Sequence, residues 1–247
     1  MNLLDVSKKT FLTTGASRGI GFGIAKQLAQ AGAISYGTAR KTDDFAAMQQ
    51  AGIKPLQADV TDAASIKTAI EKIRSEHERL DCLVNNAGVA ADLPASAIKP
   101  ELTDKLIDTN FKGVFYACQA YHKAQRKQGG IIINVASVLG LRGFPLSSVY
   151  CGTKGAVVQL TKSLASEWTA SGWRINTICP GFIDTDMTEM IKRKEEYTKA
   201  MEAKIPMRRI GKVEDIAGAV VFLTSDAAAY MTGSELVIDG GINAVLG

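Results

Sequence analysis

Residues 10–21 read Thr10-Phe11-Leu12-Thr13-Thr14-Gly15-Ala16-Ser17-Arg18-Gly19-Ile20-Gly21: an apolar run, a glycine-rich turn, then the start of a helical pattern. Glycine lets backbone amides approach a phosphate closely, and the positive end of a helix dipole favours an anion there. The spacing is G-x-x-x-G-x-G rather than G-x-G-x-x-G, so the context carries the reading. Gly15, Gly19 and Gly21 lie between a strand and a helix of a βαβ unit, where such a loop cradles a dinucleotide pyrophosphate. A simple tight turn is the alternative.

The pattern continues along the chain. Strand-like apolar runs at 10–14, 34–38, 54–58, 82–85, 131–135, 175–179 and 235–238 alternate with helical patterns at 20–31, 43–50, 63–74, 103–127, 149–170 and 213–223. This alternation predicts an α/β Rossmann fold, a doubly wound seven-stranded parallel sheet with helices on both faces. Thr61 or Asp62 is expected to cap the third helix, and Ser147 or Ser148 the fifth. With no internal repeat or linker, residues 1–247 read as one domain. One insertion, 184–206, is charged and Met-rich (Met187, Met190, Met201) and ends at Pro206. It reads as a cover over the active site or as an exposed amphipathic helix.

The 247 residues are 46% hydrophobic and 22% charged, ordinary for a globular protein with a substantial core. The 29 basic and 25 acidic residues are interspersed, so the net charge of +4 reads as a solvated surface and not a nucleic-acid footprint. Cys82, Cys118, Cys151 and Cys179 have no metal-ligand spacing and only His77 and His122 accompany them, so no metal is expected. No stretch approaches the roughly eighteen apolar residues of a membrane span, and Met1 to Val6 lack a signal-peptide pattern. These readings predict a cytoplasmic protein with reduced thiols.

The second strand ends Tyr36-Gly37-Thr38-Ala39-Arg40-Lys41, without the carboxylate that would hold a ribose 2′-hydroxyl. Arg40 stands there, and Arg18 lies within the glycine loop. Two guanidiniums suit a 2′-phosphate, which points to NADP(H). Further on, Tyr150-Cys151-Gly152-Thr153-Lys154 follows Ser137 by thirteen residues. A tyrosine and a lysine four apart share a helix face. The ammonium is expected to pull the phenol below its usual pKa of about 10, making a general acid or base for a carbonyl or alcohol oxygen.

Over its whole length the chain resembles the short-chain dehydrogenase/reductases. The matching motifs are Thr14 to Gly21, Asp59-Val60, Asn85-Asn86-Ala87-Gly88, Asn110, Ser137, Tyr150-x-x-x-Lys154, and Pro180-Gly181 followed by Thr185. The resemblance implies that Tyr150 exchanges the proton, Ser137 positions the substrate oxygen, Lys154 holds the ribose and lowers the tyrosine pKa, and Asn110 anchors a relay water. It also implies that Gly15, Ser17, Arg18, Gly19, Ile20, Gly21 and Arg40 surround the phosphates, and Asp59 and Val60 the adenine. Asn86, Ala87 and Gly88 would lie beside the adenosine ribose, and Pro180, Gly181, Ile183 and Thr185 around the nicotinamide. Taken singly, Ser137 also reads as a turn cap, Asn110 as a satisfied core amide and Asp59 as a turn acid.

Of the expected pocket walls, 89–98 and 138–149, the stretch 138–146 is apolar apart from Arg142, which suits a neutral ketone, sugar or polyol. A 3-ketoacyl-acyl-carrier-protein reductase is the alternative. In that group arginines dock the acidic carrier, and the corresponding positions here are Ile131 and Ser171, with Arg126, Lys127 or Arg174 as substitutes. A non-catalytic NADP-sensing regulator on the same fold would commonly lack the tyrosine or lysine kept here. The resemblance also implies a homotetramer, the usual state of family members, packed through the long helices 103–127 and 149–170. Val157, Val158, Leu160, Leu164, Phe111, Val114 and Phe115 give those helices more than one apolar stripe.

Overall fold

The computed structural model describes residues 2–188 and 195–245. Seven strands, β1 (Thr10–Thr13), β2 (Ile34–Ala39), β3 (Lys54–Gln57), β4 (Cys82–Asn85), β5 (Gly130–Val135), β6 (Trp173–Pro180) and β7 (Glu235–Ile238), form one parallel sheet in the order β3-β2-β1-β4-β5-β6-β7. β1 lies inside the sheet: Leu12 pairs with Tyr36 of β2 on one side and Leu83 of β4 on the other. The chain therefore winds outward in both directions from the β1/β4 junction. A crevice opens there at the C-terminal strand ends, where such sheets bind ligands.

Helices α1 (Gly19–Gln30), α2 (Phe45–Gln50), α3 (Ala63–Glu76), α4 (Pro100–Ile107), α5 (Gly113–Gln125), α6 (Ser148–Trp168), α7 (Glu195–Lys204) and α8 (Val213–Thr224) connect and cover the strands. Successive strand residues face opposite layers. Leu12, Leu83, Ile132 and Ile175 pack toward α3, α5 and α6, while Phe11, Val84, Ile133 and Ile178 pack toward α1 and α8. Each fully buried aliphatic side chain contributes about 1.5–3 kcal/mol of transfer free energy, so the two layers clamp the sheet from both faces.

The structure departs from expectation at three places. The helix expected over 103–127 is two helices joined by a π-helical stretch, Asp108–Lys112, and this wider turn sets the place of Asn110. Asp62 does cap α3, accepting from the Ala64 N–H at 2.9 Å. Ser147, however, stands at the start of α6 without capping it. Its hydroxyl bonds Asp92 at 3.0 Å instead, drawn by a charged acceptor from a distant loop. Finally, the apolar stripes of α5 and α6 are largely consumed by the chain's own core. Val114, Val157, Val158 and Leu164 are buried, and Phe111 and Leu160 pack against them.

Within the insertion, Asp186–Thr188 form a 3-10 turn and α7 buries Met201. Residues 189–194 lie outside the described residues. Three cysteines are buried, Cys151 is half-buried, and all four are free. Among the described residues no helix is long and apolar enough to cross a membrane, and no three potential ligands cluster to hold a metal.

Candidate active site

The glycine loop is built by side chains the motif does not include. The Thr14 hydroxyl accepts from the Asn86 and Ala87 N–H groups at 3.0 and 3.1 Å, tying the end of β1 to the end of β4. Thr38 Oγ1 accepts the Gly15 N–H at 3.2 Å. The Asn86 carboxamide donates to the Thr14 and Gly15 carbonyls, both at 3.1 Å, so it props the loop from beneath. Gly15 holds φ +63°, and a Cβ there would lie 2.8 Å from Ala87 Cα. At Gly21 a Cβ would come within 2.4 Å of the Gly15 carbonyl oxygen. The loop is thus a close backbone cradle that side chains would fill. Arg18 precedes α1 without a side-chain cap, and the first turn carries no acid. These features fit a dinucleotide pyrophosphate. A hollow of about 450 Å³ beside the loop is lined by Gly19, Phe22, Lys26, Thr185 and Val213.

Arg40 directly follows β2 and is exposed, and its carbonyl accepts from Gln57. Arg18 is exposed too, but its guanidinium lies 3.4 Å from the Asp186 carboxylate. Asp59 turns its carboxylate onto Thr61, accepting from both the backbone N–H and the hydroxyl, while Val60 is buried beneath. Pro180 ends β6, and Gly181, Ile183 and Thr185 follow it. Gly181 donates to the Ile238 carbonyl, and Ile183 is buried. Ser17 and Ile20 flank the glycine turn.

The polar centre lies across the crevice. Ser137 follows β5 and accepts the Leu139 N–H at 3.1 Å, so the turn-cap reading is correct in part. That contact leaves the hydroxyl proton free to donate outward. The same hydroxyl hydrogen-bonds the Tyr150 phenol. Asn110 is fully buried: its amide oxygen accepts from Val89 N–H at 2.8 Å, and its nitrogen donates to the Val89 carbonyl and Thr153 Oγ1. Its carboxamide staples the strand-β4 exit to α6. Gly88 lies over this staple; a Cβ there would approach Asn110 Oδ1 and Lys154 Nζ at 3.3 and 3.5 Å.

Lys154 is buried, donates to the Val135 carbonyl at 2.9 Å, and lies 5.8 Å from the centroid of the Tyr150 ring. The electrostatics differ from the expectation of a phenol drawn toward neutrality. Burial pushes Tyr150 up to about 12, against a smaller downward pull from the Ser137 hydrogen bond, and Asp92 adds to the rise. Although the Tyr150 ring keeps some exposed surface, its hydroxyl end is crowded by protein. Burial also pushes the Lys154 ammonium down to about 8. Removal from water is the largest cause of both shifts.

The substrate side had signals that the spacing of motifs does not display. Asp92 accepts from Ser147 across 55 residues of chain, and its charge raises the Tyr150 pKa slightly; motif spacing shows neither. Leu93 N–H donates to the Leu146 carbonyl, and both leucines are exposed at the rim. Phe144 packs on Phe182 with ring centroids 5.7 Å apart. Arg142, the one charge in 138–146, turns away to bond the carbonyls of Ile242 and Val245.

The family model described as enoyl-(acyl carrier protein) reductase matches residues 15–243. The chain belongs to the short-chain dehydrogenase/reductase family. It is 40% identical to the 3-oxoacyl-[acyl-carrier-protein] reductase FabG of Escherichia coli (strain K12), over 97% of this chain and 99% of the relative. FabG of Staphylococcus aureus (strain N315) is also 40% identical, over 95% and 98%. A gluconate 5-dehydrogenase from Burkholderia cenocepacia J2315, solved in complex with NADP and tartrate, superposes with a TM-score of 0.94 at 29% identity, covering 99% of both chains. A short-chain type dehydrogenase/reductase from Mycobacterium marinum gives 0.91 at 35%, covering 98% of both. Like these relatives, this short-chain dehydrogenase/reductase is an oxidoreductase.

Proposed function

We propose that the protein is an NADP(H)-dependent carbonyl reductase acting on a neutral, partly apolar ketone. The observation that carries the substrate class is the wall around Tyr150. In the segments taken as that wall Leu93 and Leu146 are exposed, Phe144 packs on Phe182, Arg142 is turned onto the chain's own carbonyls, and the Asp92 carboxylate accepts from Ser147. Such a mouth favours an apolar substituent over a polyol or an anion. The glycine cradle, Arg40 and the NADP bound in the Burkholderia neighbour support the cofactor.

When bound, NADPH supplies the hydride. Ser137 donates to the carbonyl oxygen and stabilises the growing alkoxide. Tyr150, protonated at neutral pH, gives up its phenolic proton to that oxygen. Lys154 sits one helical turn beyond it and becomes the charge that follows the proton's departure. Asn110 keeps Val89 and Thr153 in place around the phenol. In the reverse direction Tyr150 acts as base.

A second reading, a 3-oxoacyl-carrier-protein reductase, is favoured by the 40% identity to FabG proteins. It needs an exposed basic patch. Arg174 is bonded to the carbonyls of Leu223, Met231 and Ser225, which leaves Arg126 and Lys127 as exposed candidates. Rates with acetoacetyl-carrier protein and with a panel of free ketones separate the two. Faster turnover of the carrier-bound substrate overturns the first reading. We also assign a homo-oligomer, a homotetramer by family, with a second copy covering edge strand β7. All four of its residues are half-exposed, and Tyr230 nearby is fully exposed. A monomer in light scattering contradicts this. Four free thiols, three of them buried, fit a cytoplasmic setting.

A further inference from the structure

The turn at residues 239–245 touches three segments: the substrate wall at Arg142, the loop at Gly181 and the stretch 205–207. On the first side, Arg142 in the substrate wall reaches across a hundred residues and donates to the Ile242 carbonyl at 2.6 Å and the Val245 carbonyl at 3.2 Å. On the second, Gly181 donates to the Ile238 carbonyl at 2.9 Å, and a Cβ on Gly181 would meet Asp239 Cα at 2.7 Å. On the third, Met207 donates to the Gly240 carbonyl at 3.0 Å, while Gly240 and Gly241 pack against Ile205 and Pro206.

The turn holds its own shape. Asp239 accepts from the Gly241 N–H at 2.8 Å and the Asn243 N–H at 2.7 Å, and Gly240 and Gly241 take φ +65° and +91°. It is a small rigid block to which the wall is tied. The wall segment is in turn seated on the catalytic helix: a Cβ on Gly140 would lie 2.7 Å from the Lys154 carbonyl carbon. Of the block's three attachments, the one to the wall rests on a charged side chain, and hydrogen bonds from a charged donor are the stronger kind.

We propose that Arg142 is a positioning residue for the carbonyl substrate. By tying the 239–245 turn to the wall segment, it fixes the spacing between that wall and the Gly181 loop, and so selects which carbonyl compounds fit beside Tyr150. This rests on the carbonyl-reductase reading of the site.

The test compares Arg142→Met, Arg142→Lys, Asp239→Ala and the Arg142→Met/Asp239→Ala double variant in the full chain. Arg142→Met raises the KM for the ketone about tenfold, with kcat and the NADPH Kd held within about twofold, as loss of one charge-assisted bond predicts. Arg142→Lys recovers part of the loss, because an ammonium still donates to a carbonyl. Asp239→Ala raises KM in the same way, and the double variant is no worse than the more damaging single variant, because both act through one tether. An unchanged KM in Arg142→Met overturns the proposal. So do single effects that multiply in the double variant, which would mean that Arg142 meets the substrate itself. Hydrogen exchange without substrate separates this idea from the reaction assignment. Exchange in both 138–146 and 239–245 quickens in Arg142→Met, even if no ketone is turned over. Unchanged exchange in either segment removes the tether.

Discussion

The Lys154 ammonium donates to the Val135 carbonyl at 2.9 Å and is buried at the start of the crevice. Burial lowers it to about 8, below the 10.5 it has in water. The unfolded chain therefore binds more protons than the folded one between those values, so folding is penalised at lower pH and stability rises with pH. Between pH 7.5 and 9.5, the stability of the wild type relative to Lys154→Met should increase by about 1–2 kcal/mol. Urea midpoints at the two pH values measure it. A difference that stays constant or falls contradicts the assignment of burial as the cause.

Among the described residues the Arg40 guanidinium at the end of β2 has no ion-pair partner, whereas Arg18 has Asp186 at 3.4 Å. The two arginines should thus be unequal. Arg40→Asp is expected to shift the NADPH-to-NADH ratio of kcat/KM by roughly 10- to 100-fold toward NADH, the size of one or two charge-assisted bonds. Arg18→Ala should shift it less. An Arg18 effect exceeding that of Arg40 reverses the assignment.

Gly15 combines φ +63° with a Cβ position 2.8 Å from Ala87 Cα, and the latter atom is backbone that Thr14 holds fast. Gly15→Ala therefore strains the chain and pushes the β1 and β4 exits apart. It should cost roughly 1–3 kcal/mol of stability and weaken NADPH binding by a larger factor than ketone binding. Thermal melts and NADPH fluorescence titration test both parts. Gly143, where an added Cβ meets nothing within 4 Å, is the matched control.

The layered sheet was legible because apolar runs of strand length alternate with helical patterns, and this depends on local periodicity alone. The glycine loop, Asn86, Ser137 and Pro180 stand out because each falls at or just beyond a strand end, whereas Asn110, Tyr150 and Lys154 lie on helical elements and are picked out by their motifs. What was hidden depends on partners far along the chain. The π turn at Asp108–Lys112 accompanies an Asn110 stapled to Val89, twenty-one residues upstream. Ser147 reads as a cap until Asp92 takes its hydroxyl. The spacing of Tyr150 and Lys154 predicts a shared face but not how deeply both groups are withdrawn from water. That withdrawal reverses the direction of the phenol's shift.

A phenol raised to about 12 stays protonated through neutral pH, so it enters reduction already carrying the proton it must deliver. Ketone reduction should accordingly show no ascending limb between pH 6 and 8, while alcohol oxidation, which needs the phenolate, should climb with pH. A reduction rate that rises through pH 7 would require a base in its place.

The most direct measurement is ketone-dependent NADPH oxidation by wild type and Tyr150→Phe, with NADPH affinity titrated in parallel. Removing the Tyr150 hydroxyl is expected to lower kcat by roughly 10²- to 10⁴-fold, the usual contribution of a general acid. The NADPH Kd should stay nearly unchanged. Turnover near that of the wild type in Tyr150→Phe would contradict the account.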